Sequence, residues 1–524
     1  MTKNSENLFD QIYLAERTNA VAIRFEHREI TYGQMRSATL HAAEALVATG
    51  VAAGDRVALL LADSPEFVAA FVAIISLGAI AVPINLALGR EAQLTILQDC
   101  GASAAVAEVF AVESLASDNF TATSVKDFLV VRRSEEDQLP SVQGVRLHDF
   151  NSGCRGLNSE FPLTVDREAD AFILYTSGST GEPKGAVHRQ ADIFYTNQTF
   201  CREVLHLHAG DQLFSSSRLP FAYGLGNSFT FPLLNGGTSV LCREKPAPDV
   251  INKIFREYRP TIFFGVPVVY RMLLEHHRAG NSLDTSSLRR CVSAGEALPA
   301  QLGEDWEKTF GVEVLDGIGS TEMLHMFMSN HAGDVRYGSS GKLLSGYEAR
   351  LIDHEGTPTV TGEVGNLWIR GDSSSRRYWE RPETSAQTFV DGWTRTGDLY
   401  RVDDAGFWWH MGRGDDCFKP TGQWVSPIEV ESVLVRHEAV RAAAVVEGFD
   451  DDGLSFVCAF VVSATDDQTA VESELRALCE QTLPRFKQPR RYLFVSELPY
   501  TATGKVQRFK LREQVAVKTV ISGQ

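Results

Sequence analysis

One glycine-rich loop constrains the fold and the chemistry of this chain more than any other stretch. Residues 174–185 read Leu-Tyr-Thr-Ser-Gly-Ser-Thr-Gly-Glu-Pro-Lys-Gly, and the apolar residues 171–174 predict the end of a buried strand. Glycines let a backbone approach a ligand closely with its N–H groups turned inward. The hydroxyl groups supply further donors, and Lys184 adds a mobile positive charge. The loop therefore predicts a site for a polyphosphate.

Two common phosphate loops do not match this stretch. A Walker A loop needs four residues between its first glycine and a Gly-Lys pair, whereas two residues separate Gly178 from Gly181. The dinucleotide pattern Gly-x-Gly-x-x-Gly is also missing from it. A flexible polar surface loop is the alternative. The stretch closely resembles the phosphate-binding signature of the adenylate-forming superfamily, which includes acyl-CoA synthetases, aryl-CoA ligases, peptide-synthetase adenylation domains and luciferases.

Five further stretches match the same superfamily in order and at plausible spacing. They are residues 291–298, 315–322, 393–399, 412–419 and 498–505. Taken alone, each of them is also explained by an ordinary turn or a solvated surface loop. Together with the glycine-rich loop they cover residues 171–505, and six ordered matches make coincidence negligible.

The resemblance implies a role for individual residues. The residues implied in catalysis are Lys505, Thr321, Glu322 and Lys184, and those implied in holding Mg²⁺ are Glu322 and Thr180. A carboxylate beside a triphosphate suits magnesium. Asp398 would accept hydrogen bonds from both ribose hydroxyls. The residues implied in binding ATP are Thr176, Ser177, Gly178, Ser179, Thr180, Gly181, Gly295, Glu296, Ala297, Asp316, Gly317, Ile318, Gly319, Ser320, Thr321, Asp398, Arg413 and Lys505.

The resemblance also implies the reaction. A carboxylate is a poor acyl donor because its leaving group would be oxide, so ATP first converts it to an acyl adenylate and pyrophosphate. Lys505 would stabilise charge on the carboxylate oxygen and the α-phosphate, while Lys184 and Mg²⁺ would neutralise the pyrophosphate. A thiol then displaces AMP. Between the two steps, the C-terminal domain is expected to rotate about a hinge at Asp415.

Composition and charge narrow the functional classes. The 524 residues carry a formal net charge of -17, which argues against a general nucleic-acid or membrane-surface binder. The apolar run 67–88 contains Gly78, Pro83 and Asn85, so it predicts a helix and a buried strand rather than a membrane span. The N-terminus shows no signal-peptide pattern. Eight cysteines without a C-x-x-C pair favour reduced thiols, and a cytoplasmic location is expected.

The alternation of patterns predicts the fold class. Strand and helix patterns alternate to about residue 270, which predicts layered α/β sheets. The region from about residue 338 predicts a small β-barrel-like unit, whereas residues 112–160 are poor in pattern and are expected to form a variable surface segment. The prediction is a large N-terminal domain of several subdomains, residues 1–414, followed by a small mobile α+β domain, residues 415–524.

One segment indicates which acid is activated. Residues 221–227, Phe-Ala-Tyr-Gly-Leu-Gly-Asn, resemble the acyl-pocket segment of benzoate-CoA ligases, as do the residues Met-Leu-His-Met after Glu322. The resemblance implies a flat, mostly apolar slot for a benzene ring, and the flexibility of Met326 leaves ring substituents open. The alternative is that these residues form core behind a different pocket. The implied pocket residues are Phe221, Ala222, Tyr223, Gly224, Ile318, Gly319, His325 and Met326.

Two functions from different classes stay open. The first is a free-standing aryl-CoA ligase that converts benzoate or a substituted benzoate, such as 2-aminobenzoate or hydroxybenzoate, to its CoA thioester with release of AMP and pyrophosphate. The second is an adenylating enzyme that loads an aryl group onto the phosphopantetheine arm of an acyl carrier protein. Gln488 stands where some aryl-CoA ligases have a basic residue for the CoA phosphates. The acceptor is therefore undecided, and a homodimer is also left open.

The role implied for Lys505 is tested by separating the two half-reactions. We expect Lys505→Ala to lose adenylate formation, because the positive charge that meets the carboxylate and the α-phosphate is removed. The same variant should still convert a supplied aryl-adenylate to the thioester. Pyrophosphate release measures the first step and thioester formation the second, and an equal loss of both would count against this role.

Overall fold

The structure of the chain is a computed structural model. It describes residues 7–115, 123–134, 137–140, 142, 144–150, 165–177, 183–353, 355–414, 416–420, 423, 425–450, 453–500 and 506–521. The strands within these residues are β1 (Val21–Phe25), β2 (Arg28–Thr31), β3 (Arg56–Leu60), β4 (Ile80–Pro83), β5 (Ala104–Glu108), β6 (Asp127–Val131), β7 (Arg146–Asp149), β8 (Asp170–Ser177), β9 (Pro183–Arg189), β10 (Gln212–Ser215), β11 (Thr238–Val240), β12 (Ile262–Gly265), β13 (Arg290–Ser293), β14 (Val314–Gly319), β15 (Met326–Ser329), β16 (Lys342–Leu343), β17 (Glu348–Ile352), β18 (Gly365–Arg370), β19 (Phe389–Val390), β20 (Trp393–Val402), β21 (Trp408–Arg413), β22 (Val440–Phe449), β23 (Ser455–Ser463) and β24 (Arg491–Phe494).

The helices lie mainly between the strands. In chain order they are α1 (Leu8–Ile12), α2 (Tyr32–Ala48), α3 (Pro65–Ser76), α4 (Arg90–Cys100), α5 (Val109–Leu115), α6 (Gln190–Thr196), α7 (Ala222–Leu225), α8 (Phe231–Leu234), α9 (Pro248–Tyr258), α10 (Pro267–Arg278), α11 (Ala300–Phe310), α12 (Pro382–Thr388), α13 (Pro427–Leu434), α14 (Gln468–Thr482) and α15 (Arg508–Ile521). Two π-helical segments continue α6 and α7, namely Asn197–Arg202 and Gly226–Thr230.

Two large sheets form the main body of the N-terminal region. One has seven strands in the order β7-β6-β5-β3-β4-β8-β9, and its neighbours are parallel except for β8 and β9. The other has nine strands in the order β16-β15-β14-β13-β12-β10-β11-β1-β2, with a parallel centre from β14 to β1. Parallel strands joined by helices bury both faces of a sheet. This arrangement confirms the predicted layered α/β class.

Helix α3 lies in the core that the two large sheets share. Pro65 begins the helix, and the Ser64 hydroxyl accepts a hydrogen bond from the Phe67 N–H at 3.2 Å, which caps this end. All residues of α3 except Glu66 are buried. Its apolar side chains form a hydrophobic cluster with residues of both sheets. Gly78 turns the chain into β4 with φ +73°. The long apolar run is thus a buried helix and strand, and no described helix is long and apolar enough to span a membrane.

Two smaller sheets complete the described chain. β17, β18, β20 and β19 form an antiparallel sheet in that order, with β21 paired to β20. The three-stranded sheet β22-β23-β24 packs with α13, α14 and α15 around its own buried residues, which include Val445, Leu475 and Leu511. The C-terminal region therefore has a core of its own, as a separate α+β domain requires. Asp415, the predicted hinge residue, lies outside the described residues.

The prediction of a surface segment at residues 112–160 was wrong for β6. All five residues of this strand, Asp127–Val131, are buried within the seven-stranded sheet. The Arg146 guanidinium donates two hydrogen bonds to the Asp127 carboxylate, at 2.7 and 2.6 Å, and lowers the pKa of that carboxyl below its usual range. A four-residue apolar run between polar flanks is long enough for a central strand but too short to show a period.

The shared core makes a stability prediction. The fully buried Phe71 ring lies 5.5 Å from Phe172 and 5.4 Å from Phe229, measured between ring centres. Phe71→Ala should leave a cavity between the sheets and lower the free energy of unfolding by roughly 3–5 kcal/mol. Phe110→Ala is the matched control, because Phe110 is 45% exposed. Thermal unfolding followed by circular dichroism checks both variants, and equal midpoints would contradict this packing.

Candidate active site

Three of the predicted segments meet at one edge of the nine-stranded sheet. β10, β12, β13 and β14 are parallel neighbours, so their carboxyl ends lie side by side. The segment 221–227 follows β10, Gly295 follows β13 and Gly319 ends β14. Ligands of open α/β sheets bind outside the carboxyl ends of the strands. Parallel pairing therefore brings together motifs that are far apart in the sequence.

The glycine-rich loop joins two antiparallel strands of the seven-stranded sheet. Thr176 near the end of β8 pairs with Lys184 in β9. The Tyr175 hydroxyl and the Arg381 guanidinium each donate to the Asp99 carboxylate at 2.6 Å, which anchors this hairpin near its loop end. Ser177 is the last residue of β8. The other predicted ATP-binding residues of the loop lie outside the described residues, namely Gly178, Ser179, Thr180 and Gly181.

Tyr378, which no sequence pattern indicates, connects the hairpin to Glu322. The Tyr378 hydroxyl donates to Glu322 Oε1 at 2.7 Å, and the Lys184 Nζ lies 5.7 Å from the centre of the same ring. The backbone of Tyr378 pairs with Ala186 of β9. Burial and the negative charge of Glu322 raise the pKa of Tyr378 above its usual range. The hydroxyl therefore keeps its proton and donates a hydrogen bond to the Glu322 carboxylate, while the Lys184 ammonium approaches the same ring.

A tight backbone turn presents Thr321 and Glu322 at the sheet edge. The Ser375 N–H donates to the carbonyl oxygen of Glu322 at 2.7 Å. Leu324 follows with φ +64°, a conformation that residues other than glycine rarely adopt. The turn sends the chain back as β15, antiparallel to β14. Thr321 and Glu322 are left half-buried at the edge.

The turn after β13 and the end of β14 form the predicted adenine side. Gly295 has φ +93°, which favours glycine at this position. Glu296 and Ala297 follow it and are half-buried. A Cβ atom on Gly319 would lie 2.5 Å from the carbonyl oxygen of His325, so only glycine fits there. The turn at Gly295 and the end of β14 at Gly319 are thus the main-chain surface that is predicted to face adenine.

The Asp316 side chain lies under this surface and supports it from the interior. It is 2% exposed, and its Oδ2 accepts a hydrogen bond from the Leu298 N–H at 3.3 Å, which ties the turn after β13 to β14. Its carbonyl oxygen accepts two hydrogen bonds from Asn330, both at 2.9 Å. Burial raises the pKa of Asp316 to about 8. Asp316 is thus placed to shape the predicted nucleotide site through the backbone.

Asp398 and Arg413 face each other across β20 and β21. Arg413 donates to Asp398 Oδ1 at 3.2 Å and to the carbonyl oxygen of Thr396 at 3.1 Å. The His410 Nε2, which the sequence patterns do not indicate, lies 3.5 Å from the same carboxylate oxygen. The pairing of two strands brings together Asp398, which is predicted at the ribose, and Arg413, which is predicted near the ribose or phosphate.

Aromatic rings surround His325 in the predicted acyl pocket. The ring centres of Tyr223, Phe200 and Phe231 lie 5.6, 5.1 and 4.6 Å from that of His325. The His325 Nε2 lies 3.1 Å from Asn227 Oδ1, a partner that sequence reasoning missed. His325 is 3% exposed and burial lowers its pKa to about 3. The imidazole is therefore neutral at physiological pH.

The predicted pocket residues differ in their exposure to solvent. The Tyr223 hydroxyl donates to the carbonyl oxygen of Val292 at 3.2 Å, which holds the ring against the end of β13. A Cβ atom on Gly317 would lie 2.2 Å from the methyl carbon of Met326, so Met326 packs across β14. The half-buried pocket residues are Phe221, Ala222, Tyr223, Ile318 and Gly319, and the buried ones are Gly224, His325 and Met326.

The C-terminal region lies against the same edge. Arg271 in α10 donates a hydrogen bond to the carbonyl oxygen of Arg441 in β22. Burial raises the pKa of Tyr500, and the nearby charges of Arg271 and Glu296 act on this pKa in opposite directions. The segment that leads to the predicted catalytic lysine therefore approaches the turn after β13. Lys505 itself lies outside the described residues.

Two family models match the chain. The model described as AMP-binding enzyme matches residues 11–379, and the model described as AMP-binding enzyme C-terminal domain matches residues 429–505. The chain belongs to the AMP-binding enzyme family. The first match spans both large sheets and the second spans the sheet of the C-terminal region.

The relatives of this AMP-binding enzyme include ligases for aromatic acids. It is 40% identical to a benzoate–CoA ligase of Thauera aromatica, over 97% of this chain and 95% of the relative. It superposes with a TM-score of 0.90 on the anthranilate CoA ligase AuaEII in complex with anthranoyl-AMP, at 36% identity and 98% coverage of both chains. It matches a benzoate CoA ligase from Burkholderia xenovorans LB400 with a TM-score of 0.87 and 35% identity, covering 97% of this chain and 100% of that one. These likenesses confirm the predicted resemblance.

The raised pKa of Asp316 predicts how the stability of this AMP-binding enzyme depends on pH. The folded chain keeps the proton of this carboxyl to about pH 8, whereas an unperturbed carboxyl loses it near 3.8. Because the folded state binds more protons between these values, raising the pH lowers the free energy of unfolding. Asp316→Asn keeps an acceptor for Leu298, and it should make the fall in thermal midpoint from about pH 5 to about pH 8 smaller.

Asp284→Asn is the control for this measurement. Hydrogen bonds from Ser286 lower the pKa of Asp284 below its usual range, so this carboxyl is ionised throughout the interval and its replacement should leave the slope unchanged. Burial also raises the pKa of Asp63 to about 6. Asp63 therefore accounts for part of the pH dependence of the thermal midpoint that remains in Asp316→Asn. Identical slopes for the parent and Asp316→Asn would show that Asp316 is already ionised in the folded chain.

Proposed function

We propose that the chain is an AMP-forming aryl-CoA ligase that activates benzoate or a substituted benzoate. The carboxylate reacts with ATP to give an aryl-adenylate and pyrophosphate, and the thiol of coenzyme A then gives the aryl-CoA thioester and AMP. The observation that carries the proposal is the neutral cluster of aromatic rings around His325, where the slot for the benzene ring is predicted, at the same sheet edge as the predicted adenine turn. The benzoate and anthranilate ligases among its relatives support it.

The electrostatics of the slot favour an aromatic acid over an amino acid. In the segments 221–227 and 318–326 the only carboxylate is that of Glu322, and Tyr378 holds it on the phosphate side. An ammonium group would find no opposite charge in the slot, so burying it there would be costly. The amide of Asn227 and the imidazole of His325, which contact each other, would offer polar partners to a ring substituent. Hydroxy- and amino-substituted rings are therefore included in the proposal.

Adenylation needs positive charge where negative charge builds on the phosphates. An oxygen of the aryl carboxylate attacks the α-phosphorus, and the bond from this phosphorus to the pyrophosphate oxygen breaks. Lys184, which lies near the Tyr378 ring, would neutralise the leaving phosphates. Asp398 and Arg413 would hold the ribose. Lys505 would meet the carboxylate and the α-phosphate, as the family resemblance implies.

The donor set fits a magnesium ion. The Glu322 carboxylate is half-buried at the sheet edge, and the Tyr378 hydroxyl fixes its orientation. Magnesium prefers one or two carboxylates together with phosphate oxygens. Glu322 would hold the ion, which when bound supplies positive charge for the phosphates. Thr180, the second predicted ligand, lies outside the described residues.

Formation of the thioester needs other protein groups around the acyl group than adenylation does. In our proposal the domains meet between residues 414 and 415, because β21 ends at Arg413 and the next described side chain, Asp416, pairs with Arg512 of α15 at 2.5 Å. Rotation about Asp415 would then carry α15 and Lys505 away together. The thiol attacks the carbonyl carbon of the adenylate, and the bond to the AMP oxygen breaks.

A carboxylate panel tests this proposal. Pyrophosphate release is measured with ATP and Mg²⁺ for benzoate, 2-aminobenzoate, hydroxybenzoates, cinnamate, cyclohexanecarboxylate, acetate and phenylalanine, each with and without CoA. We expect turnover with benzoate-type acids that rises with CoA, because CoA removes the tightly held adenylate. Lys505→Ala is the control for background release.

The other outcomes of the panel are informative. Adenylation of aromatic acids without stimulation by CoA, together with loading of a phosphopantetheinylated carrier protein, would replace CoA by the carrier as acceptor. Turnover restricted to acetate or phenylalanine would contradict the aromatic slot. Absence of turnover with every acid would contradict the proposed ligase.

A further inference from the structure

His188 joins the phosphate hairpin to the loop after β14. It lies in β9, four residues after Lys184, and is fully buried. Its Nδ1 lies 2.9 Å from Asp192 Oδ2, and its Nε2 lies 2.8 Å from the carbonyl oxygen of Thr321. The ring stacks on Phe172, with ring centres 5.3 Å apart and planes inclined by 20°. Both nitrogens and one face of the imidazole are thus fixed.

Both partners of the imidazole are hydrogen-bond acceptors. The Asp192 carboxylate also accepts from Arg189, through the Arg189 backbone N–H at 3.0 Å and the Arg189 Nε at 2.9 Å. The Thr321 carbonyl has no proton to give. Each ring nitrogen of His188 therefore faces an acceptor, and a ring that donates to both is an imidazolium. Asp192 would balance the charge of such a ring within a fully buried pair.

The charge matters for the contact with Thr321. A charged donor forms a shorter and stronger hydrogen bond than a neutral one. Thr321 precedes Glu322, and the strand that carries His188 also carries Lys184. The contact between His188 and Thr321 therefore links two chain segments from different sheets at the point where both reach the predicted phosphate site.

We propose that His188 is a positioning residue, which holds the Thr321 carbonyl through a charge-assisted hydrogen bond and so sets Thr321 and Glu322 against the strand that carries Lys184. This inference rests on the proposed function, in which these three residues face the phosphates of ATP. In the alternative, His188 only fills space and packs on Phe172. Loss of either of its hydrogen bonds would then have the same effect on Mg·ATP binding.

Two amide substitutions separate the two hydrogen bonds. An asparagine amide nitrogen can take the place of Nδ1 and keep the bond to Asp192, whereas a glutamine amide nitrogen can take the place of Nε2 and keep the bond to Thr321. We expect His188→Asn to weaken Mg·ATP binding and to slow pyrophosphate release by roughly tenfold. His188→Gln should show a smaller loss of about threefold, because the neutral donor to Thr321 that remains lacks the charge of the imidazolium.

Three measurements make the comparison specific. Calorimetry gives the dissociation constant of Mg·ATP, thermal unfolding gives the midpoint of each variant, and a supplied benzoyl-adenylate isolates thioester formation. Thioester formation should change little in both variants, because the pyrophosphate has already left. Equal weakening of Mg·ATP binding by both substitutions, or a loss that follows the thermal midpoint, would overturn the proposal.

Failure of this proposal is distinguishable from failure of the proposed function. Binding of Mg·ATP needs no carboxylic acid, so the comparison of the two variants decides the role of His188 even if the parent turns over none of the acids. An active parent with two equivalent variants would overturn only the role of His188.

A further variant keeps the proposal testable if neither substitution at His188 yields folded protein. Asp192→Asn keeps the imidazole in place but removes its counter-charge, so the ring is a neutral and weaker donor to Thr321. Weaker Mg·ATP binding with unchanged thioester formation would support the proposal. Unchanged Mg·ATP binding would overturn it.

Discussion

The parallel pairing of β10, β12, β13 and β14 is the constraint on which the rest of the site depends. This pairing places the segment 221–227, the turn at Gly295 and the loop that carries Thr321 and Glu322 at one sheet edge. The register of β13 and β14 pairs Ser293 with Asp316, and the buried Asp316 carboxylate then reaches the Leu298 N–H in the turn beyond β13. A slip of one residue would turn this side chain to the other face of the sheet. The register of these strands therefore determines the geometry of the predicted site.

The nucleotide site also depends on the contact between two sheets. β9 belongs to the seven-stranded sheet and β14 to the nine-stranded sheet, and the shared core around α3 holds the sheets together. Tyr378 and His188 cross this junction through single hydrogen bonds to Glu322 and Thr321. Because packed cores deform little, these bonds hold Glu322 and Thr321, which are proposed to face the phosphates, in one arrangement.

Electrostatics divides the site into two parts. A chain with a net charge of -17 must create local positive potential to bind ATP and CoA, and Lys184 and Arg413 lie where the phosphates and ribose are proposed to bind. The acyl side is neutral instead, because burial holds His325 in its uncharged form. The two ends of an aryl-adenylate have this same contrast between an anionic phosphate and an apolar ring.

Local patterns in the sequence determined the layered α/β class, the order of six motifs and most of the proposed site residues, because turn glycines, helix caps and apolar runs act over a few positions. The burial of β6 escaped them, since its apolar run is too short to show a period. Tyr378, Asn227 and His188 could not be found in this way either. Their partners lie 56, 98 and 133 positions away, and periodicity carries no information over such separations. Only the tertiary structure decided these contacts, because they follow from which strands pair at the edge where the two sheets meet.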